Sequence, residues 1–178
     1  TLLREAGYPN GFQLTVHCPR DRWLNDAKLC QAVGQMLARA GLKMQVETLP
    51  ANVFFARNSL ARNEFSLWLG GWAHSSTGDT SAYFTGHIHT IDAGRGLGSI
   101  NRANFSDPAI DALMMRAVTE LDDARREELL RQTMTASMAA GPYVPLTTLM
   151  TVVAARKGVF FEARADEQTS ALTARPQP

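Results

Sequence analysis

The sequence holds no lysine- or arginine-rich block, only two cysteines, and no apolar run approaching the length of a membrane span. Each scarcity excludes something. Eighteen basic residues face seventeen acidic ones, a formal charge of +1 with the signs interspersed, so nothing here would steer the chain to nucleic acid or an anionic membrane. The two cysteines have no second cysteine pair to complete a four-cysteine zinc site. Neither a G-x-S-x-G elbow nor a phosphate-loop lysine pattern occurs, and GRGLGS at 94–99 reads as a flexible linker. There is also no initiator methionine and no signal-like n- or h-region. TLLREAG instead reads as the last turns of a helix with Gly7 at its C′ position, as in a piece of a longer protein.

What is present is an ordinary globular composition, 45% apolar and 20% charged, in 178 residues. FQLTVHC alternates as a strand, with Phe12, Leu14 and Val16 on one face. Asn25 or Asp26 caps a helix whose apolar positions are Ala27, Cys30, Val33, Leu37 and Ala40. LKMQVETL is a second strand, ANVFFARNSLAR a helix and EFSLWL a third strand. This strand–helix alternation implies an α/β fold with a mostly parallel sheet flanked by helices. From Gly70 to Asn104 the chain is rich in Gly, Ser, Thr and Asn and reads as a long loop, broken only by a helical turn near Ser81–Thr85. Two helices follow, one from Pro108 with the stripe Ile110, Leu113, Met114, Ala117 and Leu121, the other ending at Gly141. YVPLTTL and MTVVAARKGV read as strands, and residues 162–178 as an extended polar tail.

Cys18 and Cys30 are either two small apolar residues or a disulfide made in an oxidising compartment; the sequence leaves both open. His74, His87 and His89 lie in the long loop near Asp79 and Asp92, a set of metal-ligand types. Solvated loop histidines account for the same pattern without a metal. Ser75 and Ser76 beside His74 supply hydrolase residue types, yet a loop is a poor platform for them. No cofactor motif appears. In a parallel sheet, the loops after the first and third strands leave by the same edge, where such folds bind ligands. Arg22, Trp23 and Asn25 lie on the first loop, and Trp72, Ser75, Ser76 and Asp79 on the second; Arg22 suits a carboxylate or phosphate. Trp68 reads as core.

LLREAGYPNGFQLTV, DRWLND before a helix, a strand ending GGW, FSDPAIDALMMRAVTELDDARREELL, and VPL followed by VVAARKGV form one ordered series. It resembles the C-terminal lobe of the extracytoplasmic solute-binding proteins that serve dipeptide, oligopeptide and nickel ABC importers, solute-binding protein family 5. The resemblance implies a type II periplasmic-binding-protein-like lobe over residues 1–178, with 162–178 returning toward a missing N-terminal lobe. It implies no enzyme. It implies capture of a peptide or small polar solute between two lobes, delivery to a membrane permease, and a periplasmic location. In peptide-binding members an acid three residues past the Gly-Trp pairs with the peptide's amino group; here Ser75 stands there. Thr147 and Thr148 stand where many members carry aromatics after VPL. Both departures favour a ligand held by neutral hydrogen bonds, such as a sugar-like molecule, unless Asp79 takes over the anchor.

Overall fold

The structure, a computed structural model, describes residues 1–72, 79–149, 152–162 and 170–176. The chain divides into two compact units, 1–71 and 72–178.

In the first unit, helix α1 (Leu2–Glu5) stops as the sequence predicts. Gly7 takes φ 86°, the Tyr8 N–H reaches Leu3 O at 2.7 Å, and the Gly7 N–H reaches Arg4 O at 3.0 Å. That double bond satisfies carbonyls the helix end would leave bare. Strands β1 (Gln13–Pro19), β2 (Lys43–Leu49) and β3 (Leu67–Trp68) form a sheet in the order β2-β1-β3, all parallel. Helices α2 (Asp26–Arg39) and α3 (Ala51–Arg57) make the crossovers. Val16, Cys18 and Cys30 form the core with Met44, Val46, Leu67 and Leu69. Gly34 brings α2 onto the sheet, since a Cβ there would lie 2.5 Å from Val46 Cγ2.

Two elements are shorter than their sequence patterns predict. Helix α3 ends at Arg57 rather than near Arg62, and β3 keeps two residues of EFSLWL. Arg57 explains both. Its guanidinium meets Glu64 at 2.7 Å and Glu47 at 3.0 Å, closing the intervening chain into a turn. Phe65 is then buried against His17, ring to ring at 4.0 Å, and does not join the ladder.

In the second unit, α4 (Ser81–Tyr83) runs into a π-helical turn (Phe84–Ile88), and α5 (Pro108–Thr119) packs on α6 (Asp123–Ala140). Asp107 caps α5 by accepting from the Ala109 and Ile110 N–H groups, and Pro108 holds N1. Phe84, Ile88, Ile110 and Met114 form the core, with Tyr83, Phe105, Met134 and Tyr143 against it. Leu121, placed on the α5 stripe by the sequence, lies beyond the helix end and is exposed.

The long loop is more ordered than its composition implies. Asn101, fully buried, donates to His89 O at 3.0 Å and to Phe105 O at 2.7 Å and accepts from the Phe105 N–H. GRGLGS is no loose linker: Asp92 and Leu97 pair as a bridge, and Gly98 (φ 65°) lies so close that a Cβ would sit 2.6 Å from His89 O. His87 and His89 are buried, not solvated.

Residues 143–149 and 152–158, read as strands, pair with nothing as strands among the described residues; only β4 (Val159–Phe160) forms. Pro145 removes a ladder donor, and among the described residues no strand edge pairs with the rest. The tail is not simply extended either. A 3₁₀ turn (Ala171–Thr173) leads into β5 (Arg175–Pro176), antiparallel to β4.

Candidate functional site

In the first unit the carboxyl end of β1 leads into the loop that carries Arg22, Trp23 and Asn25. The loop after β1 is held in three ways. Cys18 at the end of β1 and Cys30 in α2, both fully buried, form a disulfide with Cα atoms 6.2 Å apart. The Asp26 carboxylate, also buried, accepts from the Arg22 N–H at 2.9 Å, the Trp23 N–H at 3.1 Å and the Ala27 N–H at 2.7 Å. Asp21 Oδ1 accepts from the Ala51 N–H at 2.7 Å, tying the loop to the start of α3. Asn25 occupies the N-cap position in the left-handed region (φ 60°) but makes no capping bond; Asp26 does that work.

Arg22 is exposed, its guanidinium 5.2 Å from the centre of the Trp23 ring. It has no acidic partner among the described residues. A planar cation on an aromatic face, at the end of a parallel sheet, can take a carboxylate through two parallel hydrogen bonds. Trp23 also approaches Phe55 edge-on at 6.2 Å. The glycine pair after β3 belongs to the same construction. A Cβ on Gly71 would fall 3.1 Å from the Trp23 ring, and one on Gly70 2.2 Å from the Trp68 ring. The loops after β1 and β3 therefore leave by one edge, as the sequence implies, and the paired glycines let two indoles close over the chain.

In the second unit Trp72 is half-exposed and meets the His87 ring edge-on at 4.4 Å. Tyr83 stacks on His87 at 5.0 Å and Tyr143 lies 6.3 Å away. Composition gave no signal for this cluster, because His87 and Tyr143 are 56 residues apart. Asp79 is already engaged: Oδ2 meets Arg126 Nη2 at 2.5 Å and Nε at 3.1 Å, and Oδ1 accepts from the Ser81 N–H at 2.8 Å. Burial pushes its pKa up, but the hydrogen bonds from Ser81 and Arg126 outweigh that and hold it at about 2. Thr147 and Thr148 are exposed in the unpaired 143–149 segment, linked by one long bond from Thr147 Oγ1 to Thr148 O. His74, Ser75 and Ser76 lie outside the described residues. Among the described residues, no three metal-ligating side chains are grouped to hold an ion. No helix there is long and apolar enough to cross a membrane.

No protein-family model matches the chain. The glutathione-binding protein GsiB of Pectobacterium atrosepticum is 29% identical over 150 residues, 83% of this chain and 28% of that protein. The Helicobacter pylori ABC transporter-associated periplasmic binding protein DppA, solved with the peptide STSA, superposes with a TM-score of 0.70 at 25% identity. That match covers 82% of this chain and 27% of DppA. HbpA2 of Haemophilus parasuis shares the fold at TM-score 0.70 and 21% identity, over 99% of this chain and 34% of its own. The chain thus spans about a third or less of the length of these proteins. The parallel sheet, the flanking helices and the sequence likeness together relate the chain to the extracytoplasmic solute-binding proteins of the dipeptide, oligopeptide and nickel importer family.

Proposed function

We propose that this chain is part of the solute-binding component of an ABC importer, which captures a small peptide or peptide-like solute and hands it to a membrane permease. Residues 1–178 are assigned to its C-terminal lobe, and the remaining lobe supplies the other wall of the cleft. The protein acts by equilibrium binding, not turnover, with ligand contacts that favour a closed form. A buried disulfide fits an extracytoplasmic setting, where such bonds persist.

One observation carries the reading to the level of chemistry. Arg22, exposed and without an acid partner among the described residues, stands on Trp23 at the carboxyl edge of the sheet, in a chain similar to binding proteins over four-fifths of its length. The solute therefore presents a carboxylate to Arg22. Its other end does not depend on Asp79, whose charge is committed to Arg126. Calorimetry on the full-length protein should give micromolar or tighter binding of glutathione or a short peptide. N-acetylation should change this little, and Arg22→Gln should weaken it at least tenfold. Equal affinity in the Arg22→Gln variant would refute the carboxylate assignment. Conversion of the bound solute would refute the transport reading.

A further inference from the structure

The Arg22–Trp23 pair sits on one of the most heavily tethered segments of the first unit. Cys18 and Cys30 are twelve residues apart, and the bond between them closes a ring of chain that contains the whole loop. Inside that ring, one oxygen of Asp26 takes the N–H groups of both Arg22 and Trp23, and the other takes the Ala27 N–H. Asp21, on the same loop, reaches out to the Ala51 N–H. Asp26 is 4% exposed and has no ion pair among the described residues, where its carboxylate's hydrogen bonds go to backbone N–H groups. Burying a carboxylate this way is costly unless its hydrogen bonds are made, and a simple helix cap could stay at the surface. Two of its three bonds go upstream of the helix, onto the backbone of the two candidate ligand residues.

We infer that Asp26 and the Cys18–Cys30 disulfide are positioning groups for ligand capture, which fix the backbone of Arg22 and Trp23 so that the guanidinium meets a carboxylate already oriented. The inference rests on the carboxylate assignment to Arg22 and goes beyond it. A flexible arginine loses side-chain and loop freedom on binding, whereas a pre-set one has lost it at folding. Removing the tethers should then cost affinity for the carboxylate end of a ligand and leave the rest of the binding surface alone.

The test uses the full-length protein with Asp26→Asn, which keeps the side chain's shape but turns a donor toward the loop amides. A second variant, Cys18→Ala with Cys30→Ala, opens the ring. Binding of glutathione is compared with binding of its glycine-amide analogue, and amide hydrogen exchange is followed at Arg22 and Trp23. The expected result is at least tenfold faster exchange at those two amides in Asp26→Asn, with exchange in β2 and α6 unchanged. The preference for the free carboxylate should fall at least fivefold in both variants. An unchanged preference, or unchanged exchange at Arg22 and Trp23, overturns the positioning role. If the wild type binds neither compound, the proposed function fails and the positioning role falls with it; wild-type binding with an unchanged preference in the variants overturns the positioning role alone.

Discussion

Two single side chains of the second unit respond to acid in different pH ranges. His87 is 6% exposed, its Nδ1 has no hydrogen-bond partner among the described residues, and three aromatic rings surround it. Burial first, and the charge of Arg102 second, push its pKa from 6.5 down to about 4, with the Tyr83 carbonyl opposing. The unfolded chain then takes up this proton near pH 6.5 and the folded chain only near pH 4. Stability from this group is complete above pH 6.5, falls as the pH drops toward 4, and falls no further below. At about 1.4 kcal/mol per pH unit, the loss amounts to at most about 3 kcal/mol. Denaturant unfolding at pH 7.5 and pH 4.5 should show it, and His87→Phe should flatten the difference. Parallel losses in the two proteins would count against it. Asp79 acts in the other range. Its carboxyl is held at about 2 against an ordinary 3.8, so its contribution is full above pH 3.8 and fades toward pH 2. Asp79 and Arg126 are each about a quarter exposed, so screening keeps the worth of the pair to about 1 kcal/mol. Asp79→Asn should be less stable by that amount at neutral pH, and the gap should narrow at pH 3.

At the scale of elements, the tight chain after the π-helical turn depends on one glycine. At Gly98 the backbone has φ 65° and a Cβ would meet His89 O at 2.6 Å and Ile91 Cα at 2.7 Å. At Gly96 φ is 70° but the space around is open. Gly96→Ala should therefore cost only the backbone strain, about 1 kcal/mol, and Gly98→Ala at least about 2 kcal/mol more, because backbone atoms must move. Thermal unfolding of the two variants separates strain from collision, and similar losses would remove the distinction. The pair also shows where sequence reading stopped. The Gly7 helix stop, the strand–helix alternation of a parallel sheet and the helix start at Pro108 are legible because each shows in a local pattern of residues. GRGLGS and the buried histidines read as loose because composition does not show what orders them: the Asp92–Leu97 bridge, the close approach of Gly98 to His89 O, and the Tyr143 ring near His87. Of the candidate site, the placement of Arg22 and Trp23 at the carboxyl end of β1 is legible from the strand–helix order alone. The sequence offers Asn25 or Asp26 as a helix cap, and the hold of Asp26 on the loop backbone appears only in three dimensions.

For the whole molecule, the segment that fails to pair carries its own consequence. Val144 and Val152 are 77% and 84% exposed, and Leu146, Leu149 and Val153 are exposed as well. These apolar side chains fall close together in the sequence, yet no strand partner for residues 143–149 and 152–158 is present among the described residues. An apolar strip with open backbone groups is a template for pairing with another chain. The 178-residue chain produced alone should therefore self-associate at tens of micromolar, and the full-length protein should stay monomeric. Sedimentation velocity on both distinguishes these outcomes. Val144→Asp with Val152→Asp should return the short chain to a monomer, because charges on the strip oppose edge pairing. The same short chain should bind glutathione no better than millimolar, since Arg22 and Trp23 would hold the ligand without an opposing wall to exclude water. Submicromolar binding by the isolated chain would mean that the site is complete within these residues and that the two-lobed reading is wrong.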